Sequence, residues 1–130
     1  MPHIHVEYSD NLEIQARPLL KALNSALFAT GYINSIHDIK SRAVIQHEFV
    51  VGLDDQSTQA YVHTKVSLLT GRSIEVQKQI STVLLQVLQQ YVKSTVDLQL
   101  CVEIQEMNKQ TYSKVFVSTK NHNDVDMSVQ

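Results

Sequence analysis

The chain opens on an alternating run. From Pro2 the residues Ile4, Val6 and Tyr8 fall on one side and His3, His5 and Glu7 on the other, the pattern of a strand with one buried face. The run stops at Ser9-Asp10-Asn11, which reads as a helix-start signal. Between Asn11 and Gly31 the period changes. Leu12, Ala16, Leu19, Leu20, Leu23, Ala26 and Leu27 recur at three- and four-residue steps, one apolar face of a helix that becomes regular from about Arg17, because Pro18 is tolerated only near its start. Thr30-Gly31 supplies the C-terminal cap, and a loop over Tyr32 to His37 follows. A second strand is expected from Ile39 to Val51, closed by a turn at Gly52-Leu53-Asp54-Asp55. A third runs from Ala60 to Leu69. Ser73 then caps a second helix whose stripe is Val76, Ile80, Val83, Leu84, Val87, Leu88 and Tyr91. The fourth strand alternates Val96, Leu98, Leu100, Val102 and Ile104 with Asp97, Gln99, Cys101, Glu103 and Gln105. A short extra strand is expected within Thr111 to Ser118, followed by a polar tail from Lys120 to Gln130 with too little apolar surface to order itself.

The order strand, helix, strand occurs twice. Pro2-His3-Ile4-His5-Val6 also aligns faintly with Val62-His63-Thr64-Lys65-Val66, which suggests a duplicated unit. Each half makes a crossover between parallel strands, so the expected fold is a two-layer α+β domain spanning 1–130: a four-stranded mixed sheet with both helices on one face. Nothing is left to cover the other face. Assembly of several copies around it is the economical solution, with the C-terminal strand free to pair with a neighbour's edge.

Composition narrows the function classes. A content of 43% apolar and 18% charged residues over 130 positions suits one soluble domain. With a net charge of −2 there is no general attraction to nucleic acid or anionic lipid, so any cationic function rests on a few local side chains. No apolar run reaches membrane-spanning length and no export signal opens the chain, so a cytoplasmic location is expected. The single Cys101 excludes an internal disulfide, in keeping with a reducing compartment.

Three places carry candidate chemistry. Met1 precedes a small residue and is expected to be removed, leaving Pro2 with a secondary amine that has a lone pair and can act as a general base. A free α-amino group titrates at about 7.7–8.0, and an apolar pocket lowers that value toward neutrality. Lys40 and Arg42, two residues apart on a strand, share a face and form a paired cationic site suited to a carboxylate. Arg72 precedes the N-cap of the second helix, where a cation and a helix N-terminus together favour an anion. Each has a plain structural alternative: a tolerated strand proline, a wet surface pair and a solvated loop arginine.

Taken in order, Met1-Pro2-His3, Ser9-Asp10-Asn11, Ala29-Thr30-Gly31, Ser41-Arg42, Val62-His63 and Gly71-Arg72-Ser73 resemble the 5-carboxymethyl-2-hydroxymuconate isomerase family of the tautomerase superfamily across almost the whole chain. The resemblance implies a homotrimer of β-α-β repeats working without a cofactor in the breakdown of 4-hydroxyphenylacetate and related aromatics, with Pro2 as base. Its substrate would be a small dienol dicarboxylate, with Pro2 and Arg42 catalytic and Lys40 and Arg72 binding carboxylates. The second strand departs from the family's Arg-Ser-Arg, carrying Lys40-Ser41-Arg42, so its first cation is a point charge and not a two-pronged donor. Three rivals stand beside this reading. One is a three-histidine metal site from His3, His5 and His63, another a non-catalytic binding or assembly protein on the same fold, and the third a different superfamily reaction.

Overall fold

Strand β1, His3–Ser9, lies at the middle of the sheet because its two sides both find partners. A computed structural model describes residues 1–119 and the strand pair residues Val125–Asp126. Helix α1 spans Ala16–Ala29, β2 Lys40–Gln46, β3 Gln59–Leu69, α2 Ile74–Tyr91 and β4 Asp97–Met107. A short strand β5, Phe116–Val117, pairs antiparallel with β6, Val125–Asp126. The remainder of the polar tail lies outside the described residues.

The four main strands are ordered β2-β1-β3-β4. β1 runs parallel to β2 and antiparallel to β3, and β3 runs parallel to β4, so each half is a parallel β-α-β unit and the halves meet antiparallel at the centre. That is the arrangement a duplicated unit gives. Ile4, Val6 and Tyr8 of β1 and Ala60, Val62, Val66 and Leu68 of β3 enter one core with Leu19, Leu23 and Leu27 of α1 and Ile80, Leu84 and Leu88 of α2. Both helices therefore cover the same face, as the two apolar stripes require. Pro18 is the third helical residue, where its missing N–H is one that the helix leaves unpaired anyway. Gly31 adopts φ +85° at the end of α1, and Ser73 caps α2 by accepting from the Val76 N–H. Tyr91, placed in the α2 stripe by periodicity, is half exposed at the helix end.

Two local expectations need correction. Ser9-Asp10-Asn11 does not start a helix, since α1 begins five residues later at Ala16. Ser9 instead accepts from the Tyr61 N–H, and the Asn11 amide donates to the carbonyls of Ser57 and Gln59, so these polar side chains fasten the end of β1 to β3. The second strand also ends early, at Gln46 and not Val51. Its one neighbour among the described residues, β1, stops at Ser9, opposite Gln46, so the Phe49-Val50-Val51 stretch finds no ladder there to join. It crosses the open face of the sheet, where Phe49 meets Tyr61 edge-on at 6.0 Å between ring centroids. That face carries His3, His5, Glu7, Tyr61, His63, Lys65, Gln99, Cys101 and Glu103, and among the described residues no helix covers it. Cys101 is an exposed free thiol.

Candidate active site

One end of the sheet gathers the starts of β1 and β2 with the ends of β3 and β4, because antiparallel pairing at the centre brings opposite termini together. The loop before β2 and the N-terminus of α2 reach the same end. Pro2 is buried there, and its carbonyl accepts from the Lys40 N–H at 3.2 Å, which fixes the head of β1 against β2. Met1 is 1% exposed, and its sulfur accepts a hydrogen bond from Lys40 Nζ at 2.7 Å. It therefore fills the space directly in front of Pro2.

The electrostatics of that space are unusual for an amine. Burial, which disfavours the cation, is the main cause of a Met1 terminal amine lowered from 8.0 to about 6. The carboxylate of Asp38 opposes this shift, while the charges of Arg72, Lys40 and Lys114 reinforce it. Lys40 is itself pushed below the usual lysine range, first by burial and then by Lys114, with Asp38 working against both. Arg72 reaches back from the turn before α2 to donate to the carbonyls of Leu69 at 3.4 Å and Tyr32 at 3.2 Å. That bridge ties the end of β3 to the loop after α1 and holds the guanidinium close enough to act on the amine.

Of the residues expected from sequence, Pro2, Lys40 and Arg72 thus converge. Arg42 lies beside them, and its charge also helps to lower the Lys40 pKa. It shares the open face with Lys40, but its guanidinium donates to His3 Nδ1 at 2.8 Å, and its charge helps to depress both His3 and His5 after burial. Because arginine only donates, His3 keeps its proton on Nε2, which lies 3.1 Å from the Tyr112 hydroxyl. Among the described residues no group of three metal-ligating side chains comes together. His63, the third histidine of the metal alternative, is engaged with Glu103 at 2.9 Å.

A sequence profile of the 5-carboxymethyl-2-hydroxymuconate isomerase family matches residues 2–121. The chain belongs to this family. Its fold is similar to the crystal structure of a 5-carboxymethyl-2-hydroxymuconate isomerase from Deinococcus radiodurans R1, with 31% identity, 87% of each chain covered and a TM-score of 0.76. A second crystal structure, of 5-carboxymethyl-2-hydroxymuconate delta-isomerase, shares the fold at 17% identity and TM-score 0.69, covering 89% of this chain and 88% of that one. A fused 4-OT symmetric trimer does so at 18% identity and TM-score 0.62, covering 83% and 87%. No curated protein matches the chain. Family membership makes the protein an isomerase of the tautomerase superfamily, on the two-layer α+β fold expected from its periodicity. No helix among the described residues is long and apolar enough to cross a membrane.

For a 5-carboxymethyl-2-hydroxymuconate isomerase family member, two residues at this end of the sheet are new relative to the sequence reading. Lys114 Nζ donates to Asp38 Oδ1 at 2.8 Å, an ion pair between side chains only 20% and 11% exposed. The partners are 76 residues apart, so no local spacing announces them. The one available signal was that Tyr112 and Lys114 alternate in an extended stretch, which puts both on the side that turns toward β1. A terminal amine whose pKa is lowered, as that of Met1 is by burial and by three cations against one carboxylate, can take a proton from an acidic hydroxyl, and the cations can hold the anion that results.

Proposed function

We propose that the protein isomerises a dienol diacid such as 5-carboxymethyl-2-hydroxymuconate, with Met1 removed and the Pro2 amine as general base and then acid. What supports this reading is the setting of the Met1 amine, one residue before Pro2, whose neutral form is favoured by burial and by the cations Arg72, Lys40 and Lys114 against the opposing carboxylate of Asp38, a setting that the Pro2 amine would share once Met1 is removed. A neutral amine takes the enol hydroxyl proton, the electron pair moves along the conjugated chain, and the resulting ammonium returns a proton to a distant carbon. Atoms and charge balance without any cofactor. Lys40 and Arg72 bind carboxylate, and Arg42 meets charge that develops on the dienol oxygen. The role follows the resemblance to catabolism of 4-hydroxyphenylacetate and related aromatics in the cytoplasm.

The assembly belongs to the same proposal. Among the described residues no helix covers the sheet face opposite α1 and α2, and the fused 4-OT of the same fold is a symmetric trimer, so this protein acts as a homotrimer. A second reading has one observation in its favour. Met1 fills the space before Pro2 and contacts Lys40, so a chain that keeps Met1 is a binding or assembly protein on this fold. Turnover of 2-hydroxymuconate-type dienols by wild type and Pro2→Ala, side by side, separates the readings. Pro2→Ala replaces the ring-held secondary amine with a freely rotating primary one, and a fall of up to about 10²–10⁴-fold, the worth of a positioned acid–base group, is expected. Absence of turnover by the wild type on every dienol overturns the isomerase reading, and turnover of a different enol class in its place identifies another superfamily reaction.

A further inference from the structure

After β4 the chain turns at Asn108, whose carbonyl accepts from the N–H groups of Thr111 and Tyr112, and the following segment runs back across the end of the sheet. Lys109 N–H donates to Thr70 Oγ1, Tyr112 Oη meets His3 Nε2 and Lys114 Nζ meets Asp38 Oδ1. Apolar burial is not what holds this strap. Val115, Phe116 and Val117 beyond it are 49%, 57% and 61% exposed, and the anchors are polar.

A lysine paired with a carboxylate largely out of water adds little net stability, because desolvation offsets the attraction. An apolar pair of the same size would secure the strap as well. The pair does something else that an apolar pair cannot: it brings an ammonium to the amine end of the sheet. Asp38 takes one of the three N–H donors of Lys114. Two contacts place Lys114 at the head of β1: its own 2.8 Å bond to Asp38, two residues before Lys40, and the 3.1 Å contact of Tyr112 with His3, the neighbour of Pro2.

We infer that Lys114, carried in by the strap and aimed by Asp38, is a specificity residue that binds the second carboxylate of a dicarboxylate ligand. The inference rests on the diacid reading of the Pro2 site and names a residue within it. Three cations, Lys40, Arg72 and Lys114, against the single carboxylate of Asp38 leave two positive charges around a neutral amine, the complement of a dianion. Lys40 belongs to β2, Arg72 to the turn before α2 and Lys114 to the strap, so three separate elements supply the charges at this end of the sheet.

Binding of an unreactive pair of acids tests this without turnover. Adipate and its monocarboxylate counterpart hexanoate are titrated calorimetrically into the full-length protein, its N-terminus defined by intact mass. Wild type should prefer adipate, and Lys114→Gln should reduce that preference about ten- to a hundredfold, the worth of one charge-assisted hydrogen bond, while Lys114→Arg retains most of it. Asp38→Asn separates ligand binding from fastening. It removes the negative charge but keeps an oxygen that can accept from the Lys114 ammonium and so aim it, and should leave the preference for adipate intact or stronger, whereas a purely structural pair would make both variants lose affinity for the two acids in proportion. The inference is overturned if wild type shows no preference for adipate, or if Lys114→Gln keeps it. Dienol turnover by the same wild-type preparation reports separately on the isomerase reading, so the two failures are distinguishable.

Discussion

Replacing Arg72 should separate two effects of one guanidinium. It donates to the Tyr32 and Leu69 carbonyls, which hold it rigidly in place, and its positive charge lowers the pKa of the amine at the head of β1. If it binds a substrate carboxylate equally well in the ground and transition states, Arg72→Ala removes a charge-assisted hydrogen bond of roughly 1.5–3 kcal/mol. At about 1.36 kcal/mol per decade, KM should rise ten- to a hundredfold or slightly more, with kcat changed much less. The same substitution removes a charge that disfavours the ammonium, so the amine pKa moves up. In the pH profile of kcat/KM, activity depends on the neutral base and rises as pH increases through the pKa of the Pro2 amine. The acid limb of Arg72→Ala should therefore lie at higher pH than that of wild type. Arg72→Lys preserves the charge but not the fork that grips two carbonyls, so its acid limb should stay near the wild-type position while KM still rises. Steady-state kinetics on one dienol diacid between pH 5 and pH 9 (about the range that spans the limb) measure both. An Arg72→Ala protein with wild-type KM and an unmoved acid limb would refute the reasoning.

Arg42→Ala should lower kcat by about ten- to a hundredfold and change KM little, because Arg42 is assigned to charge that develops on the dienol oxygen; a change confined to KM would make it a binding residue instead. Sedimentation at micromolar concentration should give a homotrimer, and a stable monomer would remove the assembly proposal.

The elements that the sequence showed most clearly are those whose pattern is set by burial alone. β1 and β4 alternate against the helical layer, and Leu19, Leu23, Leu27 and Ile80, Leu84, Leu88 repeat at four-residue steps, so strand and helix periods could be read directly. The errors lie where a partner distant in sequence decides the outcome. Phe49-Val50-Val51 has strand composition but loses its ladder when β1 ends, a length mismatch that β2 does not encode. Ser9 and Asn11 have the chemistry of a helix start and spend it on β3. At the site, Pro2, Lys40 and Arg72 were each visible as an oddity of local sequence: a second-position proline, a strand cation and a cation at a helix start. Asp38 and Lys114 carry no local oddity of that kind, because what sets them apart is a 2.8 Å contact made only when the chain beyond β4 folds back.

The central claim, that the Pro2 amine is the base, requires a free nitrogen at position 2. Intact mass of the protein in the fraction that turns over a dienol diacid tests this most directly. The account predicts a chain lacking Met1 and beginning at Pro2, with the activity confined to that species. Active protein that retains Met1 would carry an amide nitrogen at Pro2, with no lone pair available for the proton, and would contradict it.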